Sequence, residues 1–133
     1  THFRLSKKEM TARLVRAVED EGVDVLGHPT GRLIGERPAY EADWDEVFRR
    51  AAKAGTLLEV NANPQRLDLP ADLIRRALEY GVRFIIGTDA HAPEHLDFLE
   101  YGVLALRRGW AQAKDVLNTL PIEALLAARK RGR

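Results

Sequence analysis

Near residue 90 an apolar run, Val82-Arg83-Phe84-Ile85-Ile86, gives way to Gly87-Thr88-Asp89-Ala90-His91. A carboxylate and an imidazole one residue apart, where a buried-type strand runs out, can aim oxygen and nitrogen donors at one metal ion from a rigid platform. Upstream, Val23-Asp24-Val25-Leu26-Gly27-His28-Pro29 repeats the design with a single histidine. His28, Asp89 and His91 are therefore candidate metal ligands, and together they amount to part of a metal-dependent hydrolase site. The plainer readings are that Asp89 caps the next helix with His91 packed against it, and that His28 is hydrogen-bonded structure. A carboxylate beside a neutral imidazole suits Mn²⁺ or Zn²⁺ and disfavours calcium alone. With no cysteine in the sequence, thiolate metal sites and disulfides are excluded.

Other polar residues gather beside these. Arg32 follows His28 in a glycine-containing loop, and a guanidinium binds phosphate oxygens through two parallel hydrogen bonds. Its alternative is an ion pair with Glu36 or Glu41. Asn61 and Asn63 can orient a substrate or a metal-bound water, although Asn63-Pro64 also reads as a plain turn. Glu59, between Leu58 and Val60, needs a partner if it is buried, and Arg32 or Arg66 would supply a structural ion pair. A ligand His28 needs an acceptor at its other ring nitrogen, either Asp24 or a backbone carbonyl. His95 is expected as an exposed cap residue, and Trp44, Trp110 and the phenylalanines as core. No Walker loop, dinucleotide fingerprint, zinc ribbon or Ser-His-Asp order is present.

The elements that position these residues recur as helix, glycine, strand. A helix opens at Ser6 with Glu9 completing a capping box, carries Met10, Leu14, Val15 and Val18, and ends at Gly22 before a strand from Val23 to Leu26. A second carries Trp44, Val47, Phe48 and Ala51 and ends at Gly55 before Thr56 to Val60. A third starts after Asp68, with Pro70 early in its first turn. It carries Leu73, Ile74, Ala77 and Leu78 and ends at Gly81 before Val82 to Ile86. A fourth helix with Leu96, Leu99, Val103 and Leu106, and a short one from about Pro121 to Arg129, complete the chain. Helices alternating with short apolar strands predict an α/β fold of parallel βα units. The long loops follow the strands, where α/β barrels carry their chemistry, and His28, Asn61, Asp89 and His91 all lie there.

At 133 residues, 45% hydrophobic and 31% charged, the chain is one domain or less. A net charge of +1 gives no global field towards nucleic acid or membrane. The basic tail Arg129-Lys130-Arg131-Gly132-Arg133 is expected as a solvated helix end. No run of apolar residues reaches the length of a membrane span or a signal peptide, so a cytoplasmic location is the default. Three strands cannot close a βα barrel, which typically needs about 250 residues. The sequence begins Thr1-His2-Phe3 and keeps Met10 as its only methionine, as expected after removal of an initiator before Thr or for a piece of a longer polypeptide, and the motifs below favour the piece.

Gly-His-Pro-Thr-Gly-Arg-Leu at 27–33, Glu-Val-Asn-Ala-Asn-Pro-Gln-Arg-Leu-Asp-Leu at 59–69 and Gly-Thr-Asp-Ala-His at 87–91, in this order and spacing, resemble the PHP (polymerase and histidinol phosphatase) domain. The form is that found at the C-terminus of bacterial family X DNA polymerases, and the likeness runs from Thr1 to about Ala128. The resemblance implies that residues 1–133 are the C-terminal portion of a distorted seven-stranded βα barrel (TIM-like) with up to three metal ions, usually Mn²⁺ or Zn²⁺. It also implies a manganese-dependent 3′–5′ exonuclease acting in DNA repair on 3′ ends, with metal-bound water as nucleophile and no side chain assigned a catalytic role. Carried over by position, His28 matches a third-motif ligand, and Asp89 and His91 match fourth-motif ligands. Arg32 and Asn61 are the accompanying candidates for substrate binding. The family's remaining ligands belong to an N-terminal half that this sequence does not contain, and His2 is offset from the ligand it would approach. The implied partners are that half of the barrel, a polymerase domain, and DNA, with no membrane. The isolated chain is expected to be inactive or nearly so. The alternatives are a small-molecule phosphatase of the histidinol-phosphate type and a non-catalytic scaffold half-barrel.

Overall fold

In the computed structural model residues 4–130 are described; His2 and the last three residues of the basic tail lie outside them. Ser6 opens α1 (Lys7–Glu19) by accepting the Glu9 N–H while the Glu9 carboxylate accepts the Ser6 N–H, the reciprocal cap that the sequence predicts. Met10, Leu14 and Val18 form its buried stripe. Then come β1 (Val25–Leu26), α2 (Trp44–Ala54), β2 (Leu57–Asn61), α3 (Ala71–Glu79), β3 (Phe84–Gly87), α4 (Leu99–Arg108) and α5 (Ile122–Ala127). The strands form one parallel sheet in the order β1-β2-β3, with Leu26 beside Leu58 and Asn61 beside Gly87. This is an α/β fold of βα units.

The two faces of the sheet differ because side chains alternate along a strand. Leu58, Val60 and Phe84 enter a core shared with Val18, Val47, Phe48, Ile74 and Ala77 from the helices. Glu59 and Asn61 alternate with them on the other face. Lower on that face, Val25, Leu57 and Ile85 line a cavity of about 230 Å³ that Leu125 and Leu126 of α5 help to close. The outer edge of β3 is sealed by a side chain. Asn118 accepts the Ile86 N–H at 2.7 Å and donates to the Ile86 carbonyl at 3.1 Å, as a neighbouring strand would. Among the described residues no strand pairs with the outer edge of β1.

Three local expectations change. Gly55 (φ 74°) and Gly81 (φ 79°) end their helices in the left-handed conformation, but Gly22 does not play that part. The extended backbone of Asp20 stops α1 two residues earlier, and its carboxylate accepts the Gly22 N–H at 2.7 Å. In α4 only Gly102 and Leu106 are buried, while Leu99 and Val103 are exposed. Gly102 sits so close to β3 that a methyl group there would lie 2.5 Å from Ile86 Cγ2, so the smallest residue selects the buried face. Trp110, expected in the core, is 68% exposed, with the Arg75 guanidinium 3.6 Å from its ring centre. Trp44, Phe48 and Phe84 are buried as expected.

Candidate active site

The carboxyl ends of the three strands carry the polar cluster. Two of its members, His28 (φ 46°) and Asp89 (φ 53°), hold left-handed backbone without being glycine. Such conformations cost of order 1–3 kcal/mol and collect at ligand clamps and active sites. Both residues therefore sit in turns over-determined by their surroundings.

Asp68 supplies much of that determination beside His28. Fully buried, its carboxylate accepts the Thr30 N–H through both oxygens and the Gly31 N–H at 3.1 Å. Burial raises its pKa above the ordinary carboxylate value, opposed by the Thr30 and Gly31 hydrogen bonds and the nearby Arg32 charge. Arg32 donates from Nε to the Arg66 carbonyl at 2.6 Å and from Nη2 to the Leu67 carbonyl. Arg32 thus clamps the loop after β2, and the charge beside it is Asp68 rather than Glu36 or Glu41. On the far side of the same turn the Tyr40 hydroxyl donates to the Pro29 carbonyl.

Glu59 does not pair with an arginine. Its Oε2 accepts the His28 backbone N–H at 2.7 Å and lies 3.5 Å from His28 Nδ1. The carboxylate fits between Gly27 and Gly87, and a methyl group at Gly87 would overlap Oε1. Asp24, a possible partner for the His28 ring, is instead engaged elsewhere, accepting the Lys130 N–H at 2.6 Å. The missed signal was alternation: an acid two residues before the strand's last position points to the same face as that position, towards the neighbouring strand-end histidine.

Asn61 is fully buried and orders the group. Its Oδ1 accepts the Asn63 N–H at 3.1 Å, which turns Nδ2 towards His28 Nδ1 at 3.1 Å and Glu59 Oε1 at 3.4 Å. With Nδ2 as donor, His28 Nδ1 accepts, and the neutral ring carries its proton on Nε2. Binding a cation through Nε2 would need that proton on Nδ1, and Glu59 Oε2 is the acceptor standing there.

At the end of β3, Asp89 Oδ2 meets Arg66 Nε at 3.1 Å, with both side chains largely shielded. His91 Nδ1 donates to the Asp89 carbonyl at 2.7 Å, which leaves the Nε2 lone pair as a donor atom for a metal. The His91 N–H is accepted by His95 Nδ1 at 3.1 Å, so His95 orders the Asp89–His91 turn and is half-buried rather than exposed. Imidazole and carboxylate donors match a borderline divalent cation in type. In number they fall short of a shell: among the described residues no group of three or more His, Asp or Glu is arranged to hold one ion.

No protein-family profile matches the chain. Over 129 residues, 97% of its length, it is 47% identical to the DNA polymerase/3′-5′ exonuclease PolX of Bacillus subtilis, of which it spans 23%. The chain is similar to a polymerase–exonuclease. It is also 29% identical over 121 residues to a probable phosphatase of Vibrio parahaemolyticus, covering 86% of this chain and 46% of that protein. A probable phosphatase of a Thermoanaerobacter species is 26% identical over 115 residues, 82% of this chain and 44% of that protein. The chain spans about a quarter of the first relative and under half of the other two.

Proposed function

We propose that residues 1–133 are the C-terminal portion of a single PHP domain, a distorted seven-stranded βα barrel, from a bacterial family X DNA polymerase. On this reading the domain is a cytoplasmic, metal-dependent phosphoesterase that removes nucleotides 3′ to 5′ from DNA during repair. The observation that carries it is the Asp89–His91 turn, where the left-handed Asp89 and the outward Nε2 of His91 stand at the carboxyl end of a parallel strand. Similarity to the B. subtilis protein supports the polymerase setting.

Asp89, His91 and His28 would hold the divalent ions, Mn²⁺ first and Zn²⁺ second, together with ligands from the other part of the barrel. Bound there, such ions supply Lewis acidity and make a water acidic enough to attack a phosphodiester at neutral pH. This chain's own residues do the positioning. Glu59 and Asn61 set the His28 ring, His95 holds the His91 turn, and Arg32 fixes the loop that carries Arg66. Arg32 and Asn61 thereby act on substrate through the shape of the site.

The test uses the full-length parent and a single-stranded DNA labelled at its 5′ end. Asp89→Ala is expected to lower manganese-dependent 3′–5′ degradation by about a hundredfold or more while polymerase activity persists. Undiminished degradation would overturn the assignment, as would robust manganese-dependent activity from residues 1–133 alone for the expectation that this part is nearly inactive. The probable phosphatases among the relatives favour a second reading, a small-molecule phosphomonoesterase. Single-turnover rates on a phosphomonoester and on a DNA 3′ end separate the two.

A further inference from the structure

Between α1 and the loops that follow β1 and β2 lies a cavity of about 510 Å³. Arg13 of α1, Arg37 of the first loop and Arg66 of the second all line it, and so does His28. No acidic residue is among the described residues of its wall, whose α1 side is apolar through Met10, Leu14 and Ala17. A phosphate presents several oxygens, and a guanidinium on such a wall can meet them with two parallel hydrogen bonds. Arg37 Nε donates to the Gly31 carbonyl at 2.8 Å, and Arg66 Nε to Asp89 at 3.1 Å, which anchors the Arg66 fork at the cavity.

The carboxylates that touch this wall are each already engaged: Asp68 by the Thr30 and Gly31 N–H groups, Glu59 by the His28 N–H, Asp89 by Arg66. His28 stands on the same wall. The volume lies in the range of small-molecule sites and exceeds what a lone phosphate fills, while the apolar side suits a sugar or a base.

We propose that this cavity is an oxyanion subsite for a phosphate group, held by Arg13 and Arg66. Its occupant rests on the function proposed above: a phosphodiester of the strand next to the cleaved bond, or, for a small-molecule phosphatase, the ester's own phosphate. Arg32, the residue that sequence reasoning favours for phosphate, lines a different cavity, together with Tyr101 and Arg108.

The experiment needs no metal and no turnover. In chelator-treated buffer, inorganic phosphate is titrated into the ¹⁵N-labelled chain, followed by a short oligothymidylate in a separate series. Saturable shifts at the amides of His28 and Gly31 and at the Arg Nε–H signals are expected. Arg13→Met, on an exposed position of α1, and Arg66→Met should each weaken phosphate binding about tenfold or more, as loss of a charge-assisted pair implies. Circular dichroism checks that both variants keep their helices. Tighter binding of the oligonucleotide at the same signals identifies a strand backbone as occupant, and phosphate alone identifies a small ester. No saturable shift at these positions, or wild-type affinity in both variants, overturns the subsite. Because the ions are absent, this failure is distinguishable from failure of the Asp89→Ala test.

Discussion

Tyr40 shows how a single side chain couples the site to pH. Burial, with the Asp68 charge adding to it, pushes the phenol from its ordinary 10 up to about 12. The fold holds this proton more tightly than the unfolded chain does. Its stabilising contribution is therefore complete below pH 10 and is lost as pH rises through about 12. Urea midpoints measured at stepped alkaline pH should fall across that window, and Tyr40→Phe should flatten the fall. A tyrosinate absorbance step at the unperturbed value, assigned to Tyr40 by the same variant, would contradict the burial argument. The lost hydrogen bond to the Pro29 carbonyl would also loosen the turn that holds His28.

Among the elements, α4 carries the sharpest prediction. Replacing a helical glycine with alanine in open space gains roughly 1 kcal/mol of helix propensity. At Gly102 the added methyl meets Ile86 Cγ2 at 2.5 Å and Ala62 Cβ at 3.1 Å, and Ile86 is β-branched with little room to turn. Gly102→Ala is therefore expected to destabilise by about 1–3 kcal/mol in urea unfolding, the usual cost of overpacking. The same element marks how far sequence reading reaches. The helix itself was legible from Leu99, Val103 and Leu106, but its buried face was not, because apolar spacing reports which residues are greasy and not which backbone approaches closest. Parallel pairing, the α1 cap and the loop positions of His28, Asp89 and His91 followed from periodicity and turn chemistry. The partners of Glu59 and Arg32 did not. They depend on register across β1, β2 and the intervening loops, with contacts 31 to 35 residues apart in the chain.

For the molecule as a whole, the C-terminal end of the described chain docks at Asp24, just before β1. Lys130 donates its N–H to Asp24 and its ammonium to the Val18 carbonyl at 2.7 Å, while Arg129 reaches Asp24 at 3.4 Å. Arg129 and Lys130, which the sequence suggests open a solvated tail, act here as a clasp over the foot of the sheet. Asp24→Ala should lower stability by about 1 kcal/mol or more, the scale of a lost hydrogen bond. Faster amide exchange at Leu57 and Ile85, beneath α5, would locate the effect; unchanged exchange there would show that α5 docks without the clasp. Among the described residues the sheet also differs between its two borders, one sealed by Asn118 and the other unpaired. A sheet with two bare borders can add molecules without end, whereas one with a single bare border is used up at the first partner. Self-association of these residues through β1 would therefore stop at a closed pair, with Asn118 and the Phe84–Val116 bridge closing the other border.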